Sequence, residues 1–166
     1  MTRNSDIPPA SRRRRLINDR VHDPYQKRGK LREPTVCPQC GAVYRAGRWG
    51  WGKRPPEAHE ELCQACRRSN DRYPAGTIIL SGDFLRQHKN ELLSLARNCE
   101  QAEKGEHPLN RIMAIDEQSE DVVITTTDVH LPRRIGEALR SAYDGDLAIQ
   151  YKDGEYHVRV TWRRDG

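Results

Sequence analysis

The chain has 166 residues, of which 32% are charged and 35% hydrophobic, with a formal net charge of +5 and a mean hydropathy of −0.95. These figures allow one ordinary domain or two small ones with a tail, and they imply a modest core under a wet surface. No apolar run approaches the roughly 18 residues of a membrane span, and no apolar segment follows the basic start as in a secretory signal, so the expectation is a cytosolic protein with no membrane partner.

Charge is unevenly spread: residues 1–34 carry +6, residues 35–75 carry +3 and residues 76–166 carry −4. A polycationic front on an acidic back half implies a directed basic face, the electrostatic footprint of a nucleic-acid binder. The front segment, MTRNSDIPPASRRRRLINDRVHDPYQKRGKLREP, has too few large apolar residues to offset its ordering entropy, which predicts a disordered basic arm over 1–34. Its block Arg12, Arg13, Arg14 and Arg15 reads either as an arm that contacts nucleic acid or as a solvated tail, and a nuclear-type targeting signal is a third reading.

Residues 35–75 hold two CxxC pairs, CPQC (Cys37, Cys40) and CQAC (Cys63, Cys66), separated by 22 residues. That is slightly more than the roughly 15–20 usual for paired-CxxC zinc sites. In a reducing compartment clustered cysteines favour metal over disulfides, and an odd total of five argues against a closed disulfide set. Four thiolates complete a tetrahedral zinc with no position left for water or substrate, so the site is structural and its metal supplies much of the folding free energy of a small zinc ribbon. A thioredoxin-like pair is the rival, but two CxxC pairs in one domain fit it poorly. His59 is a competing ligand, and Cys99 reads as a buried small hydrophobe. Gly41 suits the tight knuckle turn, and Val43, Tyr44 and Trp49 suit a hairpin beside the metal.

Within the same segment RAGRWGWGKRPP interleaves Arg45, Arg48, Lys53 and Arg54 with two tryptophans, placing phosphate-neutralising charges beside stacking surfaces. Trp49 is assigned to packing, whereas Trp51 stands between base or protein contact and the ribbon's own core. Arg67, Arg68 and Arg72 extend the basic surface. The glycines do not have phosphate-loop spacing and do not lie between a strand and a helix.

Beyond about Ala75 strand and helix signals alternate. GTIILSG is a short apolar run bounded by glycines, a strand. SGDFLRQHKNELLSLARNCEQAEKG sets Phe84, His88, Leu92, Leu95, Ala96 and Cys99 on one helical face, capped by Ser81 or Asp83. RIMAIDEQ and DVVITTTD are two strands. TDVHLPRRIGEALRSAYDG predicts a second helix with Asp128 as N-cap, Pro132 in its first turn, a stripe of Leu131, Ile135, Leu139 and Tyr143, and Gly145 as αL cap. LAIQYKDGEYHVRVTW is a hairpin turning at Asp153-Gly154, with Tyr151 opposite Tyr156.

The predicted fold is therefore α+β: a zinc ribbon over 35–75, then over 76–166 a ferredoxin-like split βαβ domain of order β-α-β-β-α-β-β, an antiparallel sheet with two helices on one face. The open sheet face is where such folds often bind RNA, with His157 beside Arg159 as the candidate contact.

CPQCGAVYRAGRW, CQACRR followed by a short strand and helix, VVITTTDVHLPRRIGEALRSAYDGDL and the final YHVRVTWRR together resemble the ribosomal large-subunit export adaptor family called nonsense-mediated-decay protein three. The resemblance spans about 35–164 and is to a short, bacterial-type version without the longer relatives' second knuckle set. It implies zinc at the four paired cysteines, and contacts from the ribbon loop and adjacent basic residues to ribosomal RNA or protein. The expected function is thus a non-catalytic zinc-binding protein of the large ribosomal subunit or structured RNA, in assembly, quality control or stress, with no small-molecule substrate. A DNA-binding or transcription-associated regulator is the alternative, although no helix-turn-helix pattern is visible. An enzyme would need an acid/base pair or an open metal site that the sequence does not display.

Overall fold

Two mixed β-sheets and three helices are formed by residues 23–26 and 29–166, the part of the chain that the computed structural model describes. The chain is α+β. In the first sheet β1 (Thr35–Val36), β2 (Val43–Arg45), β3 (Arg48–Gly50) and β4 (His59–Glu60) lie in the order β3-β2-β1-β4, with β4 parallel to β1. Helix α1 (Gln64–Asp71) follows at once. Strands of two or three residues are too short to hold together by their own ladders. The buried cluster is Cys37, Cys63, Ala65 and Cys66, with Val36, Ala42 and Val43 also buried, so this unit has a small apolar core.

The second unit runs β5 (Gly76–Ser81), α2 (Asp83–Glu106), β6 (Ile112–Glu117), β7 (Val122–Thr126), α3 (His130–Tyr143), β8 (Asp146–Tyr151) and β9 (Val158–Arg163), the predicted order of elements. The sequence suggests an antiparallel sheet, but the sheet is mixed. Its order is β6-β7-β5-β9-β8, with β9 parallel to β5 and inserted between β5 and β8. The burial pattern explains the choice. Val158, Val160 and Trp162 of β9 are fully buried, whereas Leu147, Ile149 and Tyr151 of β8 are only partly so, and the more apolar strand takes the central place.

The β8–β9 register also differs from the predicted one, since Tyr151 pairs with Val158 and residues 152–157 form a longer loop closed by Lys152 N–H on His157 O at 3.2 Å. A slip of two residues leaves every side chain on its predicted face, so the core is unaffected. Helix α2 starts after Gly82 without a side-chain cap and kinks at His88, whose ring stacks on Phe84 at 4.1 Å. At α3 the Asp128 carboxylate accepts from His130 N–H at 2.8 Å and Leu131 N–H at 3.0 Å, the capping role expected of it. Gly136 lets α3 approach the sheet, because a Cβ there would lie 2.8 Å from Leu147 Cδ1 and Val160 Cγ1. Cys99 packs against this core, as expected of a small hydrophobe. Among the described residues no helix is long and apolar enough to cross a membrane.

Candidate metal centre and basic groove

The four paired cysteines are brought together by two different local devices. At the first pair Cys37 N–H donates to Ala42 O at 2.8 Å and Gly41 N–H to Cys37 O at 2.9 Å, closing a knuckle in which Gly41 has φ +82°. That is a left-handed backbone that glycine adopts without a Cβ penalty. The second pair is not a second knuckle of that kind but the start of α1. Cys63 is the extended N-cap residue, and its Sγ accepts from Cys66 N–H at 3.4 Å. Gln64, Ala65, Arg67 and Arg68 are good helix formers, and the positive end of a helix favours thiolates.

All four Sγ atoms lie within 4.8 Å of one another. Cys37 and Cys66 are 3.7 Å apart, Cys40 and Cys63 3.8 Å. A disulfide would need about 2.05 Å, and all the cysteines are free. A tetrahedral ion with metal–sulfur bonds of about 2.3 Å sets its sulfurs roughly 3.8 Å apart, so the set can hold one metal ion. Cys37, Cys63 and Cys66 are buried and Cys40 is half-buried. The Cys40 thiol is pushed well below its ordinary range by the hydrogen bond from Cys63, while that bond and burial push Cys63 up; burial also raises Cys66. Protons crowded among buried sulfurs are what a bound cation replaces. His59 lies exposed on β4, outside the sulfur set.

One participant escaped the sequence reading. Arg111, just before β6, places Nη2 3.1 Å from Cys40 Sγ and 3.5 Å from Cys63 Sγ, and Nη1 3.4 Å from Cys66 Sγ. It lies 45 residues from Cys66 and 71 from Cys40 in the chain, and an arginine ahead of a predicted strand carries no signal that separates it from surface cations.

Of the expected nucleic-acid contacts, Arg45, Arg48, Trp51, Lys53 and Arg54 do come together, lining a groove of about 570 Å³ with Pro55 and Pro56. Among the described residues no carboxylate lines this groove. Trp51 is 43% exposed, and its indole N–H is anchored on Lys104 O of α2 at 2.7 Å. Arg54 also pairs with Glu60 at 2.6 Å. Trp49 packs edge-on against Tyr44 at 5.5 Å and against the cysteine cluster, the packing role expected of it.

The remaining candidates lie elsewhere. Arg67 is half-buried and paired with Glu61 at 3.0 Å. Arg68, expected on the basic surface, is fully buried: it pairs with Asp23 at 2.5 Å, donates to Tyr73 O at 3.0 Å and lies 4.4 Å from the Tyr25 ring. Those partners leave it no surface to offer. His157 shares a hydrogen bond of 3.2 Å with Thr77, and burial holds its pKa below the usual value, so the ring is neutral at physiological pH; Arg159, in register with Thr77, is exposed. Arg12, Arg13, Arg14 and Arg15 lie outside the described residues. Residues 23–26, which the sequence reading places in the arm, lie against α1 through Asp23 and through Tyr25, whose hydroxyl donates to Asp71 at 2.8 Å.

No family model, curated protein or solved structure matches the chain.

Proposed function

We propose that this chain is a non-catalytic, cytoplasmic zinc-binding protein that docks on the large ribosomal subunit or on structured RNA, in ribosome assembly, quality control or stress. In this reading the ion is a single structural zinc, which suits an all-thiolate tetrahedral set. The first unit is then a zinc ribbon, the second a ferredoxin-like split βαβ domain with one inserted strand, and the whole a relative of the nonsense-mediated-decay protein three family.

The observation that carries the proposal is the groove. Arg45, Arg48, Lys53 and Arg54 line the groove with the exposed Trp51, and no carboxylate is among the described lining residues. Four cations neutralise phosphates while the indole offers a flat face for a base. Four phosphate contacts give a log–log salt slope of about −3 to −4, so affinity falls by roughly 10²-fold between 50 and 200 mM salt.

Sucrose-gradient sedimentation of the tagged full-length chain checks this. Salt-sensitive co-migration with the large subunit is expected, and it is lost in Arg45→Gln/Arg48→Gln/Lys53→Gln/Arg54→Gln. A zinc-loaded wild type that stays at the top of the gradient at low salt, in growing and starved cells alike, sinks the proposal. Preference for duplex DNA over ribosomal RNA in competition would move it to the DNA-binding alternative.

A further inference from the structure

The segment from His107 to Arg111, between α2 and β6, lies over the cysteines. Leu109 packs against the sulfur cluster, and Arg111 reaches three of its four sulfurs, at 3.1, 3.4 and 3.5 Å. The arginine is not a mobile surface cation. Its backbone N–H donates to Thr127 Oγ1 at 3.0 Å, its carbonyl accepts from Thr127 N–H at 2.9 Å, and its Nε donates to Pro108 O at 2.5 Å. Thr127 Oγ1 in turn donates to Leu109 O at 2.6 Å. The end of β7 therefore fixes the lid, and the lid aims a planar fork of donors at the thiolates.

Four thiolates around a divalent ion leave a formal charge of −2, buried on the inner side of the first unit. A guanidinium spreads hydrogen bonds over several acceptors at once, which an ammonium on a flexible stem does not. We propose that Arg111 is the outer-sphere partner of the metal centre and the latch between the two units, so that bound zinc holds the 107–111 lid and the lid retards loss of zinc. Thr127 acts as the positioning residue, since it touches no sulfur and works through the Arg111 backbone. The inference rests on the metal reading and is independent of any RNA partner.

The experiment uses the full-length chain, zinc-loaded, as wild type, Arg111→Met, Arg111→Lys and Thr127→Val. It measures zinc content, the rate of zinc transfer to an excess of a chelating dye, and amide exchange before and after chelation. Wild type is expected to hold one zinc, and Arg111→Met to release it about 10- to 100-fold faster, the usual range for loss of an outer-shell partner. Arg111→Lys and Thr127→Val should fall between. Chelation should raise exchange at the Arg111 and Thr127 amides while β5 and β9 stay protected. If Arg111→Met, with an unchanged near-UV spectrum, releases zinc at the wild-type rate, the outer-sphere role is overturned. Unchanged exchange in the lid after chelation overturns the latch, and a wild type that holds no zinc overturns the metal reading along with both.

Discussion

A guanidinium with no exposed surface needs partners in the interior, and Arg68 has a carboxylate, a carbonyl and the Tyr25, Tyr73 and Tyr156 rings at 4.4, 5.8 and 5.6 Å, while its buried Nε–H finds no acceptor among the described residues. Burial beside this group raises the Tyr156 hydroxyl to about 12, so the ring stays neutral against the cation. Taking Arg68 away leaves the Asp23 carboxylate without its cation, and taking Asp23 away leaves a buried guanidinium without its anion. Arg68→Ala is expected to cost about 3–5 kcal/mol, the range for breaking a buried pair, and Asp23→Asn falls in the same range, because the guanidinium it leaves behind is buried and cannot lose its charge. Urea midpoints of the two variants check this, and a loss below about 1 kcal/mol at Asp23 would contradict it. At this scale the four cysteines were legible because metal ligation imposes a spacing on the chain. Arg68 and Arg111 were not, because a buried arginine and a solvated one are written with the same letter and only distant partners separate them.

Helix α3 buries Leu131, Ile135 and Leu139 completely while Arg133 stays outside, 3.0 Å from the Tyr151 hydroxyl and 3.9 Å from Glu137. Ile135→Ala or Leu139→Ala therefore removes well-packed core atoms and should cost about 2–5 kcal/mol. Arg133→Ala gives up one exposed ion pair and a surface hydrogen bond, a loss of no more than about 1 kcal/mol. Thermal or urea unfolding distinguishes the two classes, and a large loss at Arg133 would show that the α3–β8 contact matters more than its exposure implies. The helix stripe and the in–out alternation of β8 and β9 were legible because periodicity is local. Strand order was not, since the pairing of β9 with β5 depends on competition between distant segments for the central position.

Across the whole molecule the two units differ in what sustains them. The second buries a continuous cluster running from Ile78 to Trp162, whereas the first buries Val36, Ala42, Val43 and Ala65 beside its cysteines. Chelation at neutral pH should therefore abolish amide protection over residues 35–71 while the sheet around β5 persists, and calorimetry of the chelated protein should show the second unit's transition alone, with a smaller total enthalpy than the loaded protein. A single cooperative loss of both units on chelation would contradict this division. The central position of β9 also bears on biogenesis. Gly76 pairs with Val158, 82 residues later in the chain, and at about 5–20 residues per second that is a delay of roughly 4–16 s during synthesis. For that interval one side of β5 is an unpaired edge, open to other nascent chains. The sheet is complete only when its last-made strand inserts between β5 and β8, so slower translation keeps that edge of β5 open for longer.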